Sequence, residues 1–372
     1  MYINLTSILC AWQFMYNFNG SWNIEYPDTT SIYQGFEFQL EDDMRIEITG
    51  EFPKVSYFSY QTYDLKNGIN IDGIVDYEIV PYNNSNPYNT SQDSKLSSYY
   101  KIVVSRNGNS GYQNEIKALN NSDSVILMLR FYGKDPIVKD NANEYWGYTY
   151  PPRTFLIQNN TSEELPICKN QHTPYNSVLK EPQNRCNKNF TFIYPTDDNL
   201  KYMLPNNDAN YMLSCMTWFN KSQIPIAVVS FDVPTISGGL YITPYISEKY
   251  TYDIRYISLS TVDRSPPRPV YQTTINIVPK MLISDSIDTI KKCKYTQNIN
   301  GSFIQLPNVE YPGILYRQIL TQSQVVPNAS FQHGMADIQN NTYKNILNTM
   351  GRYYPRIDYY IYDNGKCDFI YV

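Results

Sequence analysis

The stretch YFSYQTYD at residues 57–64 decides the fold, because its pattern Y-x-S-x-x-T-x-D returns as YISLSTVD at residues 256–263. Identities at fixed spacing indicate one folding unit that is present in two copies. In an extended strand, alternate side chains point to opposite faces. The pattern therefore predicts the first tyrosine and the serine on one face, and the threonine and the aspartate on the other unless a β-bulge intervenes.

The order of features around the two copies agrees with a repeat. Each copy follows a strand-like run that ends in an acid-x-proline sequence, at residues 45–53 and 226–234. Each copy also precedes an aliphatic strand that ends in arginine, at residues 125–130 and 314–317. Because the features keep one order, we predict two tandem units that arose by internal duplication.

Short strands separated by turns dominate the chain. Apolar and polar residues alternate with period two, and stretches rich in Gly, Asn and Pro separate these runs without an intervening amphipathic helix. The pattern predicts an all-β fold of two antiparallel, jelly-roll-like β-sandwiches. The predicted strands are residues 36–40, 44–49, 57–63, 75–80, 99–104, 125–132 and 154–157 in the first unit, and 211–218, 224–231, 252–259, 273–278, 314–320, 359–362 and 369–372 in the second.

The chain divides at a polar stretch that carries two cysteines. We predict a first sandwich at residues 25–157, a connection at 158–200 and a second sandwich at 201–372. Residues 1–24 include a short apolar stretch of signal-peptide length and are predicted to be a leader, although a basic n-region is missing. A loose apolar stripe at residues 335–350, followed by glycine, predicts a short helix near the C-terminus.

Composition narrows the function classes. The net charge of −5 over 372 residues gives no reason to expect a nucleic-acid partner or a polybasic membrane contact. The sequence has no apolar run long enough to span a membrane. The 37 tyrosines suit the pleated, half-buried surface of a β-sheet.

Glycosylation triplets point to the secretory route. The chain has twelve Asn-x-Ser/Thr triplets, against roughly five or six expected from the residue frequencies. Two of them, at Asn4 and Asn19, fall in the predicted leader. The glycosylation candidates are Asn83, Asn89, Asn120, Asn159, Asn160, Asn189, Asn220, Asn300, Asn328 and Asn340.

The cysteines suit disulfides better than a metal site. The six cysteines form no C-x-x-C pair, and the chain has two histidines, so neither a metal nor a cofactor is predicted. The disulfide candidates are Cys168, Cys186, Cys215, Cys293 and Cys367; the sixth cysteine lies in the predicted leader. Cys168 with Cys186 would close a local loop, and Cys293 could pair with Cys215 or with Cys367.

Several stretches carry a family resemblance. They are GEFP (50–53), YFSY with YD (57–64), DYEIVP (76–81), NPY (86–88), YKIVV (100–104), LMLRFY (127–132), PPR (151–153), NNDANYM (206–212), RYISL (255–259), YRQIL (316–320) and MGRYYP (350–355). They resemble an uncharacterised family of predicted secreted, two-unit proteins that occurs in bacteria, fungi, protists and large DNA viruses and is related to the domain of unknown function 1214. The resemblance implies two sandwiches in an extracellular or particle-surface setting and implies no catalytic residue. The chain departs from the family where many relatives have a cysteine after the serine strand and a W-L-P stretch.

An aspartate and an arginine recur in each unit. Asp64 and Asp263 end the motif strand, and Arg130 and Arg317 lie in a later strand. Two equivalent ligand sites would use such pairs, but a structural ion pair or hydrogen-bond network would also recur because the fold recurs. We favour the structural interpretation, since catalytic residues are more often kept in one copy.

The densest aromatic cluster surrounds Trp146 and includes Tyr145, Tyr148 and Tyr150. Such a cluster could stack against carbohydrate, although packing in the core or between the units is the favoured interpretation.

Other polar residues give weaker signals. The acids at 42–43, at 197–198 and at Asp208 lack the spacing of a calcium loop and are interpreted as solvated loop acids or caps. His172 and His333 lack the local sequence of a catalytic triad.

These observations predict a secreted or particle-surface glycoprotein with a structural or binding role. Carbohydrate, other surface proteins or further copies of the chain are the expected partners. The competing hypothesis is an extracellular enzyme that acts on carbohydrate or another polymer in a groove between the two units.

Overall fold

The structure is a computed structural model that describes residues 10–17, 31–65, 69–88, 98–118, 124–134, 144–169, 188–193, 204, 206, 208–216, 223–231, 254–264, 267–274, 280–309, 311–320 and 354–370. The described chain is nearly all β-structure, which confirms the predicted fold class. The strands of the first unit are β1 (Phe14–Asn17), β2 (Ser31–Phe38), β3 (Met44–Glu51), β4 (Val55–Asp64), β5 (Ile69–Val75), β6 (Tyr99–Ser105), β7 (Glu115–Lys117), β8 (Val125–Lys134), β9 (Arg153–Gln158) and β10 (Thr161–Leu165).

The second unit follows the same plan. Its strands are β11 (Thr191–Ile193), β12 (Ala209–Cys215), β13 (Ile224–Ser230), β14 (Ile254–Arg264), β15 (Pro267–Thr274), β16 (Lys280–Ser284), β17 (Ser302–Gln305), β18 (Pro312–Leu320), β19 (Arg356–Asp363) and β20 (Lys366–Ile370). A short helix, α1 (Ile287–Lys292), lies between β16 and β17, and a 3-10 turn spans Glu144–Trp146 in the first unit.

Both units have the same strand order when ten is added to each strand number. The first unit has sheets β1-β2-β8-β4-β5 and β10-β9-β3-β6-β7. The second has β11-β12-β18-β14-β15 and β20-β19-β13-β16-β17. We call the sheets that contain β4 and β14 the inner sheets, and those that contain β3 and β13 the outer sheets. Adjacent strands are antiparallel in both units except β6–β7 and its counterpart β16–β17. The two described halves are topologically equivalent, and their origin in a duplication stays a prediction.

Local irregularities recur at matching places. The β4–β5 register shifts after Thr62, and the β14–β15 register shifts after Thr261. In both pairs the extra residue lies in the partner strand, so alternation along the motif strand is kept. Two matching hairpins also turn through Asn: Asn159-Asn160 has φ of 48° and 62°, and Asn364-Gly365 has φ of 47° and 80°. Positive φ at both central residues defines the two-residue turn that suits the twist of antiparallel strands.

A hydrophobic core fills the space between the two sheets of each unit. In the first unit Phe58 of β4 packs in one cluster with Ile46 and Ile48 of β3. In the second unit Leu259 of β14 shares a cluster with Val229 of β13. The inner-sheet residues that face these cores alternate with residues that face away, so β4 is buried along its whole length only because a second surface covers its other face.

One predicted strand is displaced. Residues 75–80 were expected to form a strand, but β5 ends at Val75 and the chain then turns. Asp76 explains the end of the strand: its carboxylate accepts from the Phe58 N–H (2.9 Å) and its own N–H donates to the Phe58 carbonyl (3.0 Å). A side-chain bond therefore replaces the next bond between the strands.

The element boundaries also differ from those predicted. β10 belongs to the first unit and β11 to the second, although both lie in the predicted connection at 158–200. Residues 10–17, within the predicted leader at 1–24, contribute β1 and the buried Trp12 to the first unit. The helix predicted at 335–350 lies outside the described residues, and α1 was not predicted. Ser286 caps α1 through its Oγ, which accepts from the Thr289 N–H.

The disulfides correct one predicted pairing and select another. Cys168 bonds to Cys10, not to Cys186, because Ala11 pairs with the chain beside Cys168. Cys293 bonds to Cys367, one of the two alternatives. Cys215 is also disulfide-bonded, and its partner lies outside the described residues.

Candidate functional site: the interface between the inner sheets

The two units pack against each other through their inner sheets. The faces in contact are those that point away from each unit's own core, and they are called the outward faces of the inner sheets. One buried cluster contains Tyr57 and Tyr132 of the first unit with Tyr256 and Ile319 of the second. The rings of Tyr132 and Tyr256 meet edge to face, with centroids 5.3 Å apart. Because these residues are buried from bulk solvent, their polar side chains must find partners within the protein or in ordered water.

A row of three residues crosses the first inner sheet at this interface. Tyr33 of β2, Arg130 of β8 and Ser59 of β4 are directly opposite one another on neighbouring strands. The Arg130 guanidinium carbon lies 5.4 Å from the ring centre of Tyr33 and 5.2 Å from that of Tyr63. The aromatic faces therefore stabilise a cation that is buried at the centre of the sheet.

The same row crosses the second inner sheet. Tyr211 of β12, Arg317 of β18 and Ser258 of β14 are aligned in the same register. The Arg317 guanidinium carbon lies 5.2 Å from the Tyr211 ring centre. Each unit thus presents a Tyr–Arg–Ser row to the other, and both arginines are buried.

Arg130 also holds the chain that leads into the second unit. Its Nη2 donates to the carbonyl of Leu204, and its Nη1 donates to Gln61 Oε1 at 3.2 Å. The Tyr63 hydroxyl donates to the same Gln61 oxygen. The Leu204 side chain packs beside Tyr63, so this contact is both polar and apolar.

Asn206 and Asp208 complete the contact between the units. Gln61 Nε2 donates to Asn206 Oδ1 (2.7 Å) and to Asp208 Oδ2 (2.9 Å). The Tyr57 hydroxyl donates to the same two oxygens. Asp208 was expected to be a solvated loop acid or a cap; instead its half-buried carboxylate accepts from side chains of the first unit. The segment lies over the outward face of the first inner sheet, where buried donors need an acceptor.

Burial sets the charge states at the interface. It raises the pKa of Tyr57 well above the usual range, and the Asp208 carboxylate raises it further. The phenol therefore stays neutral and donates. Burial lowers the pKa of the Arg130 guanidinium, but the surrounding phenols, Tyr63 and Tyr132 foremost, raise it by more, so the side chain stays charged.

Some buried polar atoms at the interface lack a hydrogen-bond partner within the described part of the chain. They include Ser59 Oγ, Ser258 Oγ and Asn206 Nδ2, in residues that are 0%, 0% and 1% exposed. Buried groups of this kind are where ordered water binds in proteins. Donors of the first unit bond to Leu204, Asn206 and Asp208, and these bonds suit the arrangement to hold the two units together.

The predicted pairing of aspartate with arginine within each unit does not occur. Asp64 is opposite Val125, five residues along β8 from Arg130, which places the two about 17 Å apart and on opposite faces. Asp263 and Arg317 are separated in the same way, since Asp263 is opposite Pro312. The odd spacing between the residues is the physical reason.

The motif threonine lies on the other face of each inner sheet, where its hydroxyl bonds to the outer sheet. Thr62 Oγ1 donates to the carbonyl of Lys117, the last residue of β7, at 2.6 Å. Thr261 Oγ1 donates to the carbonyl of Gln305, the last residue of β17, at 2.8 Å. The predicted division of the motif between two faces is therefore confirmed, and the threonine links inner to outer sheet in both units.

The aromatic cluster near Trp146 divides into two parts. Trp146 packs edge to face against Trp12, with centroids 5.5 Å apart, and Tyr148 packs against the same core. Tyr145 and Tyr150 are exposed. Core packing therefore accounts for the tryptophan.

The described glycosylation candidates differ in access. Asn83, Asn159, Asn160 and Asn300 are exposed, and Asn189 is half-buried. The candidates outside the described residues are Asn89, Asn120, Asn220, Asn328 and Asn340.

The remaining polar candidates form no described site. Asp42 is exposed and bonds to Arg106 (2.8 Å). The acids at 197–198 and both histidines, His172 and His333, lie outside the described residues. Within the described ranges, no group of His, Cys, Asp and Glu could hold a metal ion. No described helix is long and apolar enough to cross a membrane.

Tyr33, Tyr211 and Gln61 were missed by sequence reasoning. A signal for the two tyrosines exists, because each lies six residues after a proline, at Pro27 and Pro205. Gln61 has no such signal, since the second copy of the motif carries Ser260 in its place.

Two solved structures resemble the chain in shape, although their sequence identity to it is low. No family model and no curated protein matches the chain. An uncharacterized protein from Burkholderia cenocepacia is 9% identical, with 87% of this chain and 81% of the other covered, and a TM-score of 0.49. A protein from Vibrio parahaemolyticus is 9% identical, with 80% and 86% covered, and a TM-score of 0.38. Neither likeness is strong enough to bear on function.

Proposed function

We propose that this protein is a secreted or particle-surface glycoprotein that works by structure or binding. The observation that carries the proposal is the pair of long-range disulfides. Cys10–Cys168 spans 158 residues and Cys293–Cys367 spans 74, so each fastens distant parts of its unit. Disulfides of this kind persist in oxidising compartments and are rare in the cytosol.

Two further features support the proposal. The exposed glycosylation candidates Asn83, Asn159, Asn160 and Asn300 lie at turns or strand ends, where a bulky glycan has room. The resemblance to predicted secreted two-unit proteins points to the same setting. We also keep internal duplication as part of the proposal, because the topology matches strand for strand.

The described interface favours this role over an enzyme in an inter-unit groove. Tyr57, Tyr132 and Tyr256 are buried against one another there, and the Asp208 carboxylate accepts bonds from Tyr57 and Gln61. A polymer would need an open groove in place of this contact. The interface therefore supports a structural role, in which this contact joins the two units.

Intact-mass analysis of protein isolated from its natural source tests the proposal. We expect a mass decrease on enzymatic deglycosylation, and thiol alkylation only after reduction. A fully reduced, unglycosylated protein would overturn the proposed setting. Peptide mapping of the oxidised protein should recover Cys10 joined to Cys168.

A further inference from the structure

Two exposed tyrosines lie side by side on the outer sheet of the first unit. Pro81 pairs with Tyr100 in an antiparallel bridge, and the Tyr82 N–H donates to the Tyr99 carbonyl at 2.7 Å. This register places Tyr82 directly opposite Tyr99. Because Tyr100 points into the core, its neighbour Tyr99 points outward, and Tyr82 shares that face. Their side chains are 80% and 44% exposed.

The backbone that carries the two rings is fixed on both sides. The Asn114 amide donates to the Val80 carbonyl and accepts from the Val80 N–H, both at 2.8 Å. Asn83 Oδ1 accepts from the Tyr99 N–H, also at 2.8 Å. Large, exposed side chains on a fixed backbone need little further ordering when a ligand binds.

Polar and aromatic groups border the rings. Glu51 of β3 is directly opposite Tyr99, so a carboxylate lies beside the ring. Tyr150, which is 78% exposed, lies three residues before β9, whose first residue pairs with Thr49 near the same end of β3. This end of the outer sheet therefore presents exposed phenol rings and hydrogen-bonding groups together.

The surroundings select the class of ligand. Further along the same face, Glu47 bonds to both Arg45 and Lys101, so the neighbouring charges are already paired. A phosphate backbone would need unpaired cations, and a stable protein interface needs about 800 Å² per partner with few charges at its centre. Two flat rings with a polar border suit a sugar chain, whose C–H faces pack on aromatic rings while its hydroxyls bond to the border.

From this geometry we infer that Tyr82 and Tyr99 form a binding platform for an external carbohydrate chain, with Glu51 and Tyr150 at its border. The inference deepens the proposed binding function and rests on it for the setting. The platform differs from the cluster around Trp146 that the sequence singled out, since only Tyr150 belongs to both.

Calorimetric titration of the full chain, after enzymatic removal of N-glycans, tests the platform with cellohexaose, chitohexaose, xylohexaose and mannohexaose as probes. We expect at least one probe to bind. We expect the double variant Tyr82→Ala/Tyr99→Ala to bind it about tenfold more weakly or worse. Tyr82→Phe/Tyr99→Phe keeps the rings and should retain most of the affinity. Tyr295→Ala, at an exposed tyrosine of the second unit, is the matched control and should bind normally.

Three results would overturn the inference. The first is a failed binding test, in which either no probe binds at 10 mM (about the weakest useful affinity) or the double alanine variant binds like the wild type. The second is that the double variant changes self-association in sedimentation, which would assign the face to a second copy. The third is that untreated protein fails to bind while treated protein binds, which would assign the face to one of the protein's own glycans. Intact-mass analysis judges the secreted setting independently of all three.

Discussion

The two outer sheets have the same strand order, but their outward faces differ: the first is charged, and the second is apolar and buried. On β3 of the first unit, Arg45 and Glu47 point outward, and Glu47 also bonds to Lys101 (2.7 Å). On β13 of the second unit, Ile226 and Val228 take the corresponding outward positions and are buried.

A longer insertion explains the difference. Between β16 and β17 the second unit carries α1 and the loop after it. Ile290 and Cys293 of this insertion cluster with Leu282 of β16 and with the outward face of β13. The matching connection between β6 and β7 in the first unit has no helix. The strand order is therefore compatible with either outward surface, and the inward-facing residues with the register specify the sandwich.

Removing the covering disulfide should have the largest effect on this comparison. Cys293→Ala/Cys367→Ala opens a 74-residue loop and should lower the free energy of unfolding by about 4 kcal/mol. Guanidinium denaturation measures the change. A loss below about 1 kcal/mol would show that the cover is held mainly by other contacts.

Truncating the helix that covers the second outer sheet should have the next largest effect. Ile290→Ala removes buried apolar atoms and leaves a cavity, at a cost of about 3 kcal/mol in unfolding free energy. Lys291→Ala is the matched control on the exposed side of α1 and should change stability by less than about 0.5 kcal/mol. Equal losses in the two variants, measured by denaturation, would contradict a covering role.

The shared feature of the units, their contact through the inner sheets, is probed by Tyr57→Phe. The change removes bonds to Asp208 and Asn206 and should lower stability by about 2 kcal/mol. The folded protein favours the neutral phenol, since its pKa is raised above the unfolded value. This contribution is therefore complete below pH 10 and falls as pH rises further.

Tyr99→Phe, at an exposed phenol, serves as the control and should leave stability unchanged. Denaturation of wild type and both variants at pH 7 and pH 10.5 checks the expectation. The difference in unfolding free energy between the wild type and Tyr57→Phe should fall from pH 7 to pH 10.5. An increase in this difference would contradict the expectation.

Removing charge from the first outer sheet should have the smallest effect. Burial raises the pKa of Glu47, but hydrogen bonds from Lys101 and Arg45 lower it by more, so the net pKa lies below the usual value. Its stabilisation is therefore present above the unfolded pKa and lost as pH falls through the folded pKa. Glu47→Gln should cost about 0.5 kcal/mol at pH 7, and the difference should shrink as the pH falls below the unfolded carboxyl pKa of 4.5. A cost that is the same at pH 7 and pH 3 would point to packing as its source.

The sequence predicted the sandwiches because alternation along strands such as β3 and β4 records directly which side chains are buried. The interface was harder to foresee. Asp208 resembles a loop acid until the Tyr57 and Gln61 donors of a distant strand are brought beside it. Asp64 and Arg130 each have a counterpart in the second unit and therefore suggested a pair. The strand register, however, places them on opposite faces of the sheet. Register and the packing of sheet on sheet are long-range properties that a local pattern does not record.

Differential scanning calorimetry of the intact, oxidised protein tests most directly whether the buried Tyr–Arg interface joins the two units into one cooperative structure. We predict a single transition whose calorimetric enthalpy equals the van't Hoff enthalpy. The reason is that unfolding of one unit would expose the buried polar row on the inner sheet of the other unit. Two separate transitions, each with the enthalpy of one unit, would contradict this account.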